Sequence, residues 1–251
     1  MKIIKEFKKI FSVPMMLIII LASFVLSGCV KYDLGINFVT PNHGEFSQHI
    51  ILGDQLQSFN TETQTWLDSI QQRTKQLGGK VKRISNKELI VTIPFYQGKE
   101  LETKFNQFFL YNAAQTNKDT EANLTNITSH LSMKQGNFVF LLRNKIVYEL
   151  DLSSLALISN QGNVIVSPGN LLDLEFTINS PWGAKNLGAI APISNDGHRI
   201  SWKLKTGELN RIELAFWMPN YLGIGTLIIV LIVVGGYYLK YRELPGTVIS
   251  E

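Results

Sequence analysis

From residue 31 the chain alternates in character. Tyr32, Leu34, Ile36 and Phe38 are apolar, and Lys31, Asp33 and Asn37 between them are polar. A period of two marks a strand with one face buried. Pro41-Asn42-His43-Gly44 follows, with φ set at proline and free at glycine, which predicts a turn. A second strand over roughly residues 45–52 makes the opening a β-hairpin. The period then changes. Trp66, Leu67, Ile70 and Leu77 fall on one stripe of a 3.6-residue repeat, Thr61 and Gln64 have capping-box spacing, and Gly78-Gly79 closes the run. Residues 61–77 therefore read as a helix. Strands are expected at 80–84 and 88–93, around a turn at Ser85-Asn86-Lys87 and with Pro94 stopping the second. Leu101, Phe105, Phe108 and Phe109 recur at i, i+4, i+7 and i+8, predicting a second helix over 98–111.

Residues 112–126, NAAQTNKDTEANLTN, hold almost no large apolar group and read as a surface loop. Beyond them the pattern is all strand: 127–133, 138–143, 146–150, 154–159, 163–167, 172–179, 199–205 and 210–216. The separators are Gln135-Gly136-Asn137, Gln161-Gly162-Asn163, Ser167-Pro168-Gly169-Asn170, Asn195-Asp196-Gly197 and Thr206-Gly207. No repeat of fixed period is present. Hairpin, helix, hairpin, helix and meander predict an α+β fold, an antiparallel β-sheet with about two helices on one face.

Both ends of the chain are different in kind. Residues 2–9 are basic, and residues 13–26, VPMMLIIILASFVL, are apolar apart from Ser23. That run is short for a span and right for a signal sequence. Leu26-Ser27-Gly28-Cys29 follows and resembles the bacterial lipobox: a branched apolar residue, two small residues, then the cysteine. Small residues let a peptidase hold an extended backbone at the membrane surface, and the thiol accepts a diacylglyceryl group. Cleavage between Gly28 and Cys29 would make Cys29 the first mature residue; a signal anchor with an incidental cysteine is the competing reading. Residues 221–239, YLGIGTLIIVLIVVGGYYL, carry no charge and are long enough to cross ~30 Å of hydrocarbon. Phe216, Trp217 and Tyr221 bracket the run on one side and Tyr237, Tyr238 and Tyr241 on the other, with Lys240 and Arg242 at its end. Aromatic belts and a basic flank predict a transmembrane helix with a cytoplasmic tail.

The expected organisation is a lipoprotein signal peptide at 1–28, an extracytoplasmic domain at 29–218, a transmembrane helix at 219–240 and a tail at 241–251. Both termini would tether the domain to one leaflet, of a plasma or thylakoid membrane. The charge balance agrees. The net +4 includes +3 from residues 2–9 and none from 240–251, leaving +1 for everything between. A near-neutral domain has no basic stripe for phosphates, so nucleic acid is excluded as a partner. Hydrophobic content of 45% and a mean hydropathy of +0.07 are carried by the two apolar runs. One cysteine forbids an internal disulfide.

Catalytic signatures are missing. His43, His49, His130 and His198 lack metal-ligand spacing, there is no G-x-S-x-G, and the glycines at 223, 225, 235 and 236 lie inside the apolar run. Asp119 with Glu121, and Asp173 with Glu175, read as surface charge. The expectation is a protein that is not an enzyme and uses no cofactor or metal, only covalent diacylglyceryl and acyl (palmitate-type) groups on Cys29. The candidate binding feature is the aromatic helix. Leu101, Phe105, Phe108 and Phe109, with Trp66 and Ile70 from the first helix, either fill the core or line an apolar pocket for an acyl chain.

CVKYDLGINF…HGEFSQHIILG and LEFTINSPWGAKN…DGHRISWKLKTGELNRIELAF resemble LppM-type lipoproteins, a family of actinobacterial and cyanobacterial envelope proteins. The run AFWMPNYLGIGTLII…YYLKYR looks most like the cyanobacterial members. The resemblance covers most of residues 26–242 and implies a lipid-anchored envelope domain without agreed active-site residues. The expected partners are the bilayer and either a lipid ligand or a membrane protein. An assembly or scaffold factor for a membrane complex is the alternative.

Overall fold

The computed structural model of the chain describes residues 30–41, 43–53, 60–114, 128–153 and 172–241. The signal sequence, Cys29, the strands expected at 154–159 and 163–167, and the tail beyond Tyr241 lie outside the described residues. Eleven strands and three helices are present among those described. In chain order they are β1 (Val30–Thr40), β2 (His43–Ile51), α1 (Asn60–Gln76), β3 (Lys80–Arg83), β4 (Glu88–Phe95), α2 (Gly98–Ala114), β5 (Thr128–Phe138), β6 (Leu141–Asp151), β7 (Leu172–Asn179), β8 (Lys185–Asn186), β9 (Ser194–Asn195), β10 (Arg199–Lys203), β11 (Leu209–Pro219) and α3 (Tyr221–Tyr241).

Strict alternation along β1, β2, β4 and β7 sends one set of side chains inward and the other outward. These strands build a seven-stranded sheet, β3-β4-β2-β1-β7-β10-β9, antiparallel except for the parallel pair β1 and β7. A second, antiparallel sheet, β5-β6-β11-β8, shares its core. Tyr148 of β6 stacks on Phe176 of β7 at 4.4 Å, and Phe46 of β2 meets Phe105 and Phe108 of α2. One face of the large sheet is thus covered by the small sheet and by α1 and α2, giving the expected α+β class with a second sheet in the covering layer.

Helix α2 also closes one sheet edge. The Asn106 side chain of α2 donates to the Leu131 carbonyl and accepts from the Leu131 N–H, both at 2.8 Å, while Glu102 accepts from the Met133 N–H. Three ladder groups of edge strand β5 are satisfied this way, which blocks pairing with another chain. Gly78, at φ 74°, ends α1 in the left-handed region as its sequence position requires.

Helix α2 runs on to Ala114, three residues into the loop expected at 112–126, whose remainder lies outside the described residues, and two strand boundaries also differ from the sequence reading. Pro94 lies within β4, because β3 pairs only as far as Thr92 and leaves that side of the strand open. Its carbonyl, on the unpaired side, accepts from Lys104 Nζ, so the missing N–H breaks no ladder bond. The second difference is larger. Gln135-Gly136-Asn137 is no turn: the strands expected at 127–133, 138–143 and 146–150 are one long hairpin whose turn is Val139-Phe140. Partner strand β11 explains the extension, since it pairs with β6 all the way to Leu141 opposite Pro219.

Candidate functional site

The face of the large sheet turned away from that covering layer is polar. Because neighbouring strands are in register, its outward residues form rows across the sheet. The central row is Thr92, Ser47, Gly35, Thr177 and Ser201. One bank is His49, Asp33, Glu175 and Lys203, and the other is Glu45, Asn37, Asn179 and Arg199. Small residues between longer ones make a trough. Gly35 lies at its floor, where an added Cβ would come within 3.2 Å of Ser47 Oγ. The resulting groove holds about 370 Å³ and is lined by Lys31, Asp33, Asn37, Ser47, His49, Glu175, Thr177, Asn179 and Arg199.

Its banks are prearranged by hydrogen bonds. His49 Nε2 contacts Glu88 Oε1 at 2.9 Å, His49 Nδ1 lies 3.9 Å from Asp33 Oδ2, and Lys31 Nζ lies 3.3 Å from the same oxygen. Asp33 Oδ1 is shielded from solvent and has no partner among the described residues. On the far bank the Asn179 amide donates to Asn37 Oδ1 at 3.0 Å, tying β7 to β1. Thr177 and Ser201 hydroxyls share a 2.7 Å bond on the floor. Hydroxyl, carboxamide and carboxylate groups suit a ligand rich in hydroxyls or amides. Among the described residues, no three His, Cys, Asp or Glu side chains are placed to hold a metal ion.

The six residues expected to line an apolar pocket do not share one surface. Ile70, Leu101, Phe105 and Phe108 are at most 2% exposed, and Phe109 packs against them at 4.7 Å from Phe105 and 5.1 Å from Phe108. Phe105 also meets Tyr148 edge-on at 5.6 Å. These rings fill the core between the layers. Trp66 is 36% exposed and faces away, because it precedes the buried Leu67 by one position on α1. Burial pushes the Tyr148 phenol well above its ordinary value, so this core hydroxyl stays neutral. Arg73 crosses the same core, donating to the Phe108 carbonyl at 2.8 Å with its guanidinium over the Phe108 ring. Glu175, which by sequence alone reads as surface charge, is one of the groove's lining residues. The groove's signal was the polar half of the alternation in β1, β2 and β7.

A second feature joins the domain to α3. One residue, Asn220, separates β11 from the helix. Its backbone N–H donates to the Phe140 carbonyl at 2.8 Å, and its side-chain amide donates to Asn137 Oδ1 at 3.0 Å and to the Val139 carbonyl at 3.1 Å. Its Oδ1 accepts from the Gly223 N–H at 3.3 Å, which caps the helix. At Gly223 any Cβ would overlap the Val139 carbonyl oxygen, so only glycine admits this approach. Asn220 therefore locks the tip of the β5–β6 hairpin to the first turn of α3. That helix is 21 residues long with a mean hydropathy of 2.3 in its most apolar window, and none of its residues is buried. At 1.5 Å per residue it is about 31 Å long, enough to cross a bilayer.

Fold and junction define a class: an α+β domain with a polar groove on its open sheet face, attached without a linker to an apolar helix of membrane-spanning length. The chain belongs to the family described as protein of unknown function DUF3153, whose model matches residues 34–245. The NMR structure of the folded domain of Mycobacterium tuberculosis LppM is similar at a TM-score of 0.44 and 10% identity, over 77% of this chain and 92% of that one. No curated protein matches the sequence.

Proposed function

We propose that this protein is a membrane-anchored envelope lipoprotein, acylated at Cys29, whose domain stands on the extracytoplasmic face and binds a polar ligand or partner without catalysing a reaction. The observation that carries this reading is the one-residue junction at Asn220, which holds the groove-bearing domain at a fixed distance from the apolar helix. A domain on a free linker would sample many distances; this one presents its groove at one. The lipobox-like Leu26-Ser27-Gly28-Cys29 and the basic Lys240 and Arg242 support the sidedness, with the C-terminus in the cytoplasm. The likeness of the terminal run to cyanobacterial LppM-type members supports a plasma or thylakoid membrane as the site.

The lining of the groove changes the ligand class expected from sequence. Acyl chains would be poorly matched by Asp33, Asn37, Glu175 and Asn179. A lipid headgroup, a glycan or a polar peptide segment of a membrane protein fits the donors and acceptors present. A scaffold role for a membrane complex is the second reading; it is favoured by α3, on which Gly225, Gly235 and Gly236 are open to an approaching helix.

Native mass spectrometry of the full chain, extracted from its own membranes in mild detergent, tests this. A polar adduct present in the wild type and lost in Gly35→Arg, which fills the groove floor, supports the binding reading. A clean mass in both, with a membrane protein retained through α3, overturns it in favour of the scaffold.

A further inference from the structure

The β5–β6 hairpin breaks two rules at once. The chain offers Gln135-Gly136-Asn137, good turn chemistry, and passes it by. It turns instead at Val139-Phe140, although tight hairpin turns favour Asn-Gly or Gly-X. The result is four consecutive large apolar residues, Phe138, Val139, Phe140 and Leu141, each between 43% and 66% exposed. In water such a tip is unfavourable, and none of the described residues covers it.

What covers it follows from where it is held. Asn220 and Gly223 fix the tip against the first turn of α3, so it lies level with the start of the apolar helix. Any bilayer that α3 spans begins at that level. Trp217 packs on Phe138 at 5.5 Å and is itself 44% exposed, and the Arg143 guanidinium lies 5.9 Å above the Trp217 ring. Cation and indole thus face each other at one level of β6 and β11, and the apolar tip lies beyond them toward the helix. Basic groups at headgroup phosphates, Trp at the interface and aliphatic groups below is the order of a membrane boundary.

We propose that the β5–β6 tip is a membrane-inserted wedge, seated in the headgroup and upper acyl region of the leaflet the domain faces, with Arg143 on lipid phosphate. This rests on α3 being a span. Tip and helix would then enter the bilayer together as one rigid foot, setting the domain's tilt and hence the direction in which the groove opens.

The test uses the full chain reconstituted in vesicles of phosphatidylcholine and phosphatidylglycerol. A benzophenone amino acid replaces Phe140, or, as control, Ile193, which is 60% exposed on the far edge of the large sheet. Illumination should give lipid adducts at position 140 and at least tenfold fewer at 193. Equal yields, or cross-links from 140 to a second copy or to another protein, would overturn the wedge. Alkaline carbonate extraction is run in parallel. A chain that stays in the membrane without lipid adducts at 140 sinks the wedge alone, whereas a chain released by carbonate sinks the span and the wedge with it.

Discussion

The Phe38 ring of β1 lies 4.8 Å from the Phe216 ring of β11. Four residues earlier on both strands, Leu34 is linked through Phe176 and the stacked Tyr148 to Ile212. β1 and β11 thus advance in the same direction in the two sheets. Val30 lies at one end of the domain and Tyr221 at the other, roughly 40 Å apart at ~3.3 Å per residue. Cys29 precedes Val30 directly, so an acyl group there and a span at α3 meet one leaflet only when the strands tilt well away from the membrane normal, with the β5–β6 tip at the lower end.

Neutron reflectometry on the acylated chain in a supported bilayer reads this orientation. The protein layer above the headgroups should be thinner than the ~40 Å strand length. A layer of that thickness or more would show that one of the two attachments is not made.

Cys29→Ser should abolish fatty-acid labelling and leave a larger, unprocessed precursor. The variant should still resist carbonate extraction, because α3 is untouched. Unchanged size and label would refute the lipobox reading.

Phe105→Ala should cost about 3–5 kcal/mol, since the ring is fully buried and meets Phe46, Phe109 and Tyr148. Trp66→Ala, on the exposed side of α1, should cost less than about 1 kcal/mol. Urea unfolding in nanodiscs measures both. Phe105→Ala near zero would mean that the rings border open space.

Asn220→Ala removes the cap of α3 and two bonds to the hairpin, a loss of about 1–2 kcal/mol. Gly223→Ala forces the Val139 carbonyl away. In both variants hydrogen exchange should accelerate at residues 137–142 and 221–224 and stay unchanged in β1 and β7. A uniform change would deny Asn220 its local role.

Glu213 lies between Lys145 and Arg211, at 2.9 Å and 2.7 Å, and hydrogen bonds from Lys145 first and Arg211 second hold its carboxyl below the usual value of 4.5. A depressed carboxyl stabilises the fold above the unfolded value, and that contribution is lost as pH falls through the folded one. Thermal stability should therefore drop below about pH 4.5, and Glu213→Gln should flatten that part of the profile. The two cations of this trio are exposed, so the difference should shrink at 1 M salt.

How much was legible depended on range. Leu101, Phe105 and Phe108 declared a buried helix face, and the alternation in β1 declared a strand with one wet side, because each pattern repeats within a few residues. Trp66 misled because it sits at the margin of its stripe, where a small rotation of the helix decides between core and solvent. Gln135-Gly136-Asn137 misled because pairing with β11 outweighed local turn chemistry.

The sequence alone determined the apolar runs at both ends, the α+β class and the polar outward half of β1 and β2, because periodicity and charge are local properties. Tertiary structure decided what stands beside what. The groove exists because β7 pairs parallel with β1, bringing Asn179 onto Asn37 from 142 positions away. The hairpin tip faces the first turn of α3 because Asn220 bonds to Val139 across 81 positions. Neighbours so far apart are chosen by packing of the whole core, and no local pattern encodes that choice.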